Sequence, residues 1–414
     1  MNTTFRLLYR LSTNKTYFKL YYLVVSIIFT TALSLIPNIN ILTKVAILWS
    51  LVLLTIDFLR LLTGKIKPNV IKLPIYLFVL ITLILNILIY PDVNNIKTWV
   101  INLIPLFLFF SIDTVKNKKS LFKEVSLFSS FFVLISSIIS LISLIMICTN
   151  NIIRIPLDPT YPQGGYHEYV GLFSNGNAFG IFSSISIIFT IYLLFNTKSI
   201  KGKSFLYLNL LLQSITLILS EGRSAFLVIL SLIFIFMYIY LSKSWIRFSL
   251  IFLPLVFLIT FIATHFNNLR PYLAGRENIW LAASKVIKAH PLTGVGNTNM
   301  VPMVDAAKEQ WLYGLPTGGI HNIYIETATV NGIISSLLII LFILITFYYL
   351  VKKIQVSFSF NKKLLTCLFS LFVGLALVNL MESTLLYKVS FINIVFWSVT
   401  GYLISLTQCS SKSS

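Results

Sequence analysis

Three residues in the second half of the chain have side chains suited to transfer chemistry on an anionic substrate. Arg223 lies in the run LSEGRSAFL, Arg276 in AGRENIW and His321 in GGIHNIYIE. A guanidinium presents a planar fork of donors that binds phosphate through two hydrogen bonds. An imidazole exchanges protons near neutral pH, because the ordinary pKa of histidine is about 6.5. These residue types predict phosphate binding by the arginines and general base catalysis by the histidine.

Each of these residues also has a structural interpretation, which the sequence leaves open. Arg223 begins an apolar run, so it can equally anchor a membrane helix at the interface or pair with nearby Glu221. Arg276 can lie on a solvated helix face, and His321 can cap the helix that follows it. Glu326 stands too far along from His321 to share its helix face, so no pair between them is predicted.

A second group of polar residues is predicted to bind substrate. His290 precedes Pro291 at a predicted helix end, where interaction with the helix dipole favours a structural role for it. Glu382 is a charge inside an apolar run, which is typical of a functional or paired residue in a membrane protein. The predicted substrate-binding residues are Arg270, His290, Glu221, Glu382 and Asn322.

Four of these eight residues belong to a polar stretch, 265–321, that contrasts with the apolar chain around it. Apolar residues at helical spacing predict one amphipathic helix from Arg276 to His290 and a second over roughly 301–312. Pro291 ends the first helix, and the run GVGN after it makes a tight turn. Such helices are expected to lie along a membrane surface.

The remainder of the chain is predicted to be an all-α polytopic membrane protein. Its 414 residues are 57% hydrophobic and 11% charged, whereas a soluble domain carries about 25% charged residues. Asp57 and Arg60, near one end of the second span, are expected to pair with each other. Apolar runs of membrane-spanning length predict about 12 spans, at roughly 18–36, 41–62, 71–90, 98–112, 125–148, 176–196, 204–220, 223–241, 245–264, 322–350, 364–384 and 388–407.

The net charge of +20 reports membrane orientation rather than nucleic-acid binding. Most of the 32 lysines and arginines fall in short connections on one side, and the positive-inside rule places that side and both termini in the cytoplasm. The 4 histidines and two long polar stretches, 149–175 and 265–321, are then on the outer face. Cysteine spacing indicates neither a disulfide framework nor a metal site, and there is no metal-binding or nucleotide-binding motif.

The motifs around these residues resemble those of the O-antigen ligase and polysaccharide polymerase family. Its members carry a Gly-Arg, a Trp a few residues on, then His-Pro-x-x-Gly-x-Gly and a later His-Asn-x-Tyr that leads into a membrane helix. The run GLFSNGNAFG (171–180) and the element at 220–224 also match. The principal matching positions are Gly275-Arg276, Trp280, His290-Pro291, Gly294, Gly296 and His321-Asn322-Tyr324.

This resemblance implies metal-independent, inverting transfer of a glycan from an undecaprenyl-diphosphate carrier to a hydroxyl, at the outer face of the cytoplasmic membrane. His321 would be the base, and Arg276 and Arg223 would contact the diphosphate. No cofactor is expected. The expected partners are the lipid-linked oligosaccharide, the bilayer, and flippase and chain-length regulator proteins, with no nucleic acid.

Three functions stay open at this point. A polymerase would join lipid-linked repeat units into a capsule, exopolysaccharide or O-antigen chain, and a ligase would move finished glycan to a lipid or protein acceptor. A flippase or other transporter is the alternative of another class. Transporters usually place polar residues near mid-membrane in repeated, broken helices, whereas here they cluster in one outer stretch without a visible repeat. The sequence therefore favours an enzyme.

Overall fold

The computed structural model describes residues 12–64, 69–113, 116–156, 166–265, 273–312 and 314–408. Within these ranges the regular structure is almost entirely helical, with a single two-stranded antiparallel hairpin. The elements are α1 (Lys15–Thr30), α2 (Asn40–Leu62), α3 (Leu73–Leu88), α4 (Val93–Leu103), α5 (Lys118–Cys148), β1 (Arg154–Pro156), β2 (Tyr166–Glu168), α6 (Gly176–Asn196), α7 (Ile200–Leu219), α8 (Phe226–Tyr240), α9 (Ser244–His265), α10 (Arg276–Ala289), α11 (Asn297–Ala306), α12 (Leu315–Gly318), α13 (Ile323–Gln355), α14 (Ser359–Val378) and α15 (Phe391–Gln408).

Nine helices in the described ranges are long and apolar enough to cross a membrane. The prediction of an all-α polytopic membrane protein is therefore confirmed. The other predicted spans coincide with shorter helical segments, namely Lys15–Thr30, Val93–Phe109 and Ser244–Pro254. Val93–Phe109 combines α4 with a π-helical turn, Ile104–Phe109.

The centre of the bundle is formed by α6 and α15, whose side chains are buried on nearly every face. Several polar side chains inside this bundle form hydrogen bonds between helices, because the membrane interior offers no water as an alternative partner. Asn209 of α7 donates to Thr190 Oγ1 of α6 at 2.7 Å. Gln213 of α7 accepts from Ser140 Oγ of α5 at 3.0 Å. These bonds fix how α5, α6 and α7 are rotated against one another.

One end of the bundle collects the connections that the charge pattern predicts to be outside. The backbone N–H of Ala32, which follows α1, donates to the carbonyl of Leu172 in the stretch before α6, at 2.7 Å. The Tyr90 hydroxyl, between α3 and α4, donates to the carbonyl of Gly294 in the long polar stretch. Residues far apart in sequence therefore form one layer at this end, which we call the outer end.

The opposite end, which we call the inner end, holds the ion pairs Lys15–Asp57 and Lys116–Glu124. The expected pair between Asp57 and Arg60 is wrong. Asp57 bonds to Lys15 on the neighbouring helix α1, whereas Arg60 lies exposed in the last turn of α2. The contact between Lys15 of α1 and Asp57 of α2 therefore takes the place of the expected pair within α2.

Helix α13 is interrupted at Gly332, whose φ of 82° and ψ of 164° are not helical. The turn after α10 enters this break. Ile333 N–H donates to the carbonyl of Pro291 at 2.8 Å, which replaces the helical bond that the break removes. The approach requires glycine, because a Cβ on Gly332 would lie 2.1 Å from the carbonyl oxygen of Leu292.

The first glycine of the Gly-x-Gly turn is needed for the same contact. A Cβ on Gly294 would lie 2.5 Å from the backbone of Val330, and Val295 N–H donates to the Thr329 carbonyl at 2.9 Å. The His-Pro-x-x-Gly-x-Gly motif therefore docks the polar stretch onto a membrane helix, backbone against backbone.

The two helices predicted in this stretch are both present, with different limits for the second. The first runs over Arg276–Ala289, as the apolar spacing predicts. The second runs over Asn297–Ala306 rather than 301–312. It begins directly after Gly296, where φ is 76° and the chain leaves the docked turn, and it ends before the polar run at 308–310.

Candidate active site

Three polar side chains from separate parts of the chain meet at the carboxylate of Glu382. Its Oε1 accepts hydrogen bonds from Arg276 Nη2 and Asn177 Nδ2, each at 3.0 Å. Its Oε2 lies 3.6 Å from His321 Nδ1. The Arg276, Glu382 and His321 side chains are 16%, 13% and 21% exposed, so they are sheltered but can be reached from outside.

Arg276 reaches this point because the chain reverses immediately before α10. Ala274 and Gly275 both adopt left-handed conformations, with φ of 54° and 83°. Arg276 is then the first residue of α10. Only Nη2 bonds to another described residue, so the remaining guanidinium donors are available to an anionic ligand.

His321 is held by the residues on both sides of it. Its φ of 55° is left-handed, and a Cβ on Gly318 would lie 2.2 Å from His321 Nε2, so the ring rests directly on a glycine backbone. After it, Asn322 caps α13 by accepting from the N–H groups of Tyr324 and Ile325 at 3.0 and 3.1 Å. The capping histidine that the sequence left open is therefore excluded, because Asn322 is the cap.

Asn322 also joins the start of α13 to the connection that carries Glu382. Its amide nitrogen donates to the carbonyl of Leu380, and its backbone N–H donates to Ser383 Oγ, both at 3.0 Å. Both ends of the Asn322 side chain are thus used within the protein. These bonds hold the start of α13 against the connection that carries Glu382.

Glu382 lies outside the membrane helices, because α14 ends at Val378 and α15 begins only at Phe391. Burial would raise the pKa of Glu382, but the neighbouring His321 imidazole and the Arg276 guanidinium outweigh it and hold that pKa below its usual value. Glu382 is therefore a carboxylate at neutral pH and can only accept hydrogen bonds.

This charge state assigns the two nitrogens of His321. The Nδ1 nitrogen faces Glu382 and has no hydrogen-bond partner at its present separation of 3.6 Å. A hydrogen on Nδ1 is attracted to the carboxylate, which leaves the lone pair on Nε2 to accept a proton. Hydrogen bonds of this kind are often long without substrate and shorten when it binds.

Asn177 was not singled out from the sequence, although it lies in the matched run GLFSNGNAFG. Asn175 caps α6 by accepting from Ala178 N–H at 2.7 Å, and Asn177 occupies the first turn. A Cβ on Gly176 would lie 2.1 Å from the carbonyl oxygen of Ser220. The two matched runs, 171–180 and 220–224, therefore pack backbone against backbone and carry Asn177 to Glu382.

Arg223 and Glu221 lie at the same end but on the exposed surface. Arg223 opens a short 3-10 turn, Arg223–Ala225, before α8, and Glu221 has a left-handed φ of 53°. Between them, Gly222 touches Asn177, since a Cβ there would lie 3.1 Å from Asn177 Cα. The structure brings this element beside the Glu382 cluster through its backbone.

A further predicted substrate-binding residue, His290, is not brought to Glu382. His290 ends α10, and its backbone carbonyl accepts from Gly294 N–H at 2.9 Å in the docked turn. Its side chain forms no hydrogen bond or ion pair with the described residues. Arg270 lies outside the described residues. Over the described ranges, no group of three or more His, Cys, Asp and Glu side chains is arranged to hold a metal ion.

Comparison with known families connects this geometry to an identity. Residues 208–340 match the family model described as O-Antigen ligase. The matched segment contains Arg223, Arg276 and His321, whereas Asn177 and Glu382 lie on either side of it. No curated protein sequence matches the chain. The resemblance inferred from the motifs is thus confirmed over this segment, and the chain is a multi-pass membrane protein whose residues 208–340 are similar to the O-Antigen ligase family.

Proposed function

We propose that the protein is a polysaccharide polymerase, which transfers glycan from undecaprenyl diphosphate to a hydroxyl of another lipid-linked repeat unit at the outer face of the cytoplasmic membrane. The observation that supports glycan transfer, the reaction class of this proposal, is the meeting of a guanidinium, an imidazole and a carboxylate at one partly sheltered point. Arg276 and Glu382 are 106 residues apart in sequence, and Asn177 and Glu382 are 205 apart. Both termini lie in the cytoplasm in this proposal, in agreement with the positive-inside rule.

The proposed reaction begins at the acceptor hydroxyl. Its oxygen attacks the anomeric carbon of the donor sugar while its proton moves to His321 Nε2. Glu382 stabilises the imidazolium that forms, because its carboxylate faces Nδ1. The proton then leaves to solvent, which returns His321 to its neutral form.

The bond between the anomeric carbon and the diphosphate oxygen breaks in the same displacement, and the electron pair leaves with the lipid diphosphate. A single displacement inverts the anomeric configuration. Negative charge grows on the leaving oxygen, and the unused donors of Arg276 stabilise it in a sheltered site. Arg223 supplies a second diphosphate contact, and the guanidinium groups do the work that a metal ion does in other transferases.

The alternative is a ligase that uses the same chemistry with a lipid or protein acceptor. The donor side of the reaction would be identical, so the Glu382 cluster supports both. A flippase is disfavoured, because the break in α13 is filled by the backbone of the docked turn and so does not line a path between the two ends.

The experiment that tests the proposal is the glycan profile of a deletion strain, with mass analysis of its lipid-linked intermediates. We expect single repeat units to accumulate on the carrier with no long chains. Long chains that remain on the carrier would instead identify a ligase. Repeat units confined to the cytoplasmic face would identify a flippase and overturn the proposal.

A further inference from the structure

The three residues before His321, Gly318–Ile320, are held by side chains from three different elements. We call them the backing segment. Ile320 N–H donates to Glu326 Oε2 at 3.1 Å, and its carbonyl accepts from Trp280 Nε1 at 3.0 Å. Lys388 Nζ donates to the carbonyl of Gly318 at 2.8 Å. Glu326 belongs to α13, Trp280 to α10 and Lys388 to the connection before α15.

The backing segment forms the surface on which the His321 ring rests. A Cβ on Gly318 would lie 2.2 Å from Nε2 and 2.3 Å from Cε1 of His321. A Cβ on Gly314, just before α12, would lie 3.4 Å from the same Nε2. The ring is therefore enclosed by glycine backbone on one side and by Glu382 on the other. Any shift of the backing segment changes the position of the imidazole.

Glu326 and Lys388 both lie beside Gly319, the middle residue of the backing segment. A Cβ on Gly319 would lie 2.7 Å from Glu326 Oε2 and 3.4 Å from Lys388 Nζ. Each charged group bonds to backbone of the segment, and neither forms a direct ion pair with the other. Glycine is therefore required at position 319, because a side chain there would collide with Glu326.

The energetics argue against a purely stabilising role for these charges. Glu326 is 1% exposed, and a buried carboxylate costs free energy that one backbone N–H recovers only in part. A well-packed apolar side chain at the position of Glu326 would avoid this cost. The hydrogen bonds from Glu326 and Lys388 instead fix the position of the backbone of the backing segment.

We propose that Glu326 and Lys388 are positioning residues, which fix the imidazole of His321 against Glu382 through the backing segment. Neither needs to touch the substrate. The consequence for transfer rests on the proposed function, but the positioning itself does not. It can therefore be measured without any glycan substrate.

The experiment uses the purified full-length protein in detergent micelles and the histidine reagent diethyl pyrocarbonate. Peptide mass analysis gives the modification rate of His321 relative to that of His290 in the same molecule. Glu326→Leu and Lys388→Met each remove one bond to the backing segment. Since a lost hydrogen bond changes a local equilibrium about fivefold, we expect the relative rate of His321 to rise about fivefold in each variant.

The chain offers matched controls for both changes. Lys285 and Glu309 form an exposed ion pair on the polar stretch, away from the backing segment. Glu309→Leu and Lys285→Met make the same chemical replacements and should leave the relative rate within about twofold of wild type, as expected for a surface pair. Glu326→Gln keeps an acceptor oxygen for Ile320 N–H and should restore most of the protection that leucine removes.

A second variant moves the ring without changing any charge. Gly318→Ala inserts a methyl where the imidazole lies, so it should raise the relative rate of His321 even if Glu326→Leu does not accumulate in the membrane. An unchanged relative rate in Gly318→Ala and Lys388→Met would overturn the proposal. An equal rise at His321 and His290 would also overturn it, because it would show general loosening.

Failure of the positioning proposal is separable from failure of the proposed function. If His321→Gln still makes polymer, the catalytic role is wrong, although the reactivity results would still stand. If His321→Gln is inactive and the relative rates do not change, the catalytic role stands and Glu326 and Lys388 do not act as proposed.

Discussion

The two ends of the molecule bury charge in different ways. At the outer end, Glu382 faces Arg276 and His321, and all three side chains remain partly exposed. At the inner end, Lys72 is 9% exposed, donates to the carbonyl of Phe110 at 2.7 Å and lies over its ring. Lys19, beside it, is 2% exposed and lies 4.3 Å from the ring centroid of Tyr402.

The inner lysines have a structural explanation that the outer cluster lacks. Both reach the bend that follows the π-helical turn, where Lys72 bonds to Phe110 and Lys19 bonds to Ser111 Oγ at 3.4 Å. Carbonyls at a helix end need donors, and a long lysine side chain can supply one while its stem stays in apolar surroundings. Buried charge therefore indicates function in this protein only where donors are left unused and the atoms can be reached.

We expect the largest loss of transfer activity from His321→Ala, which removes the proposed base at the outer end. Loss of a general base lowers a transfer rate by about 10²–10⁴-fold. Polymer made by isolated membranes, normalised to the amount of inserted protein, measures this. Wild-type polymer from the alanine variant would remove the histidine from the mechanism and leave the outer end without a base.

The second largest effect is expected from Arg276→Lys. This change should lower the transfer rate by about 10²-fold, since removal of one electrostatic donor in an active site has an effect of about that size. Lysine keeps the charge but not the planar fork of donors. The matched control is Arg154→Lys, which alters an exposed pair with Glu168 in the hairpin. Equal losses in both variants would show that the assay responds to any outer arginine.

Lys72→Met tests the inner end and should separate stability from activity. Removal of the bond to Phe110 is expected to lower the free energy of unfolding by about 1–3 kcal/mol, because the carbonyl is left without a donor. Thermal unfolding in detergent measures this. Polymer formed per folded molecule should stay within about twofold of wild type, the range of an unrelated surface change. An inactive but stable variant would give the inner lysines a function.

The smallest effect concerns acid stability. Because the pKa of Glu382 lies below its usual value of 4.5 in the folded protein, its carboxylate stabilises the fold above that usual value. This contribution disappears as the pH falls through the folded pKa. Glu382→Gln should therefore be less stable than wild type at pH 7, with a smaller difference at pH 4. A melting difference that does not depend on pH would contradict the assignment of Glu382 as an ionised partner.

The sequence predicts the membrane helices and the order of the family motifs, because both are local patterns. It identifies Arg276, His321 and Glu382 as separate residues but not their contact, which joins positions 106 residues apart in the case of Arg276 and Glu382. The role of Glu326 in the backing segment depends on a turn whose path only the folded chain defines.

Two errors have the same physical origin. Glu382 falls inside the predicted span 364–384, but α14 ends at Val378 and the apolar run continues into a non-helical connection. Hydropathy measures transfer into an apolar phase and does not distinguish a membrane helix from a buried loop. A rule for isolated helices pairs Asp57 with Arg60. In the folded chain α2 packs against α1, and Asp57 pairs with Lys15 of that helix.

The break at Gly332 divides α13 into two parts with different mechanical behaviour. Its 33 residues would form a rod of about 50 Å, well beyond the roughly 30 Å of a bilayer core. A continuous rod would adapt to bilayer thickness by tilting and would swing its first turns sideways. The residues before Gly332 are also joined to the docked turn and the outer layer, so this layer holds the first turns of α13 in addition to the rest of the helix. We therefore expect the distance between His321 and Glu382 to change little with the thickness of the surrounding membrane.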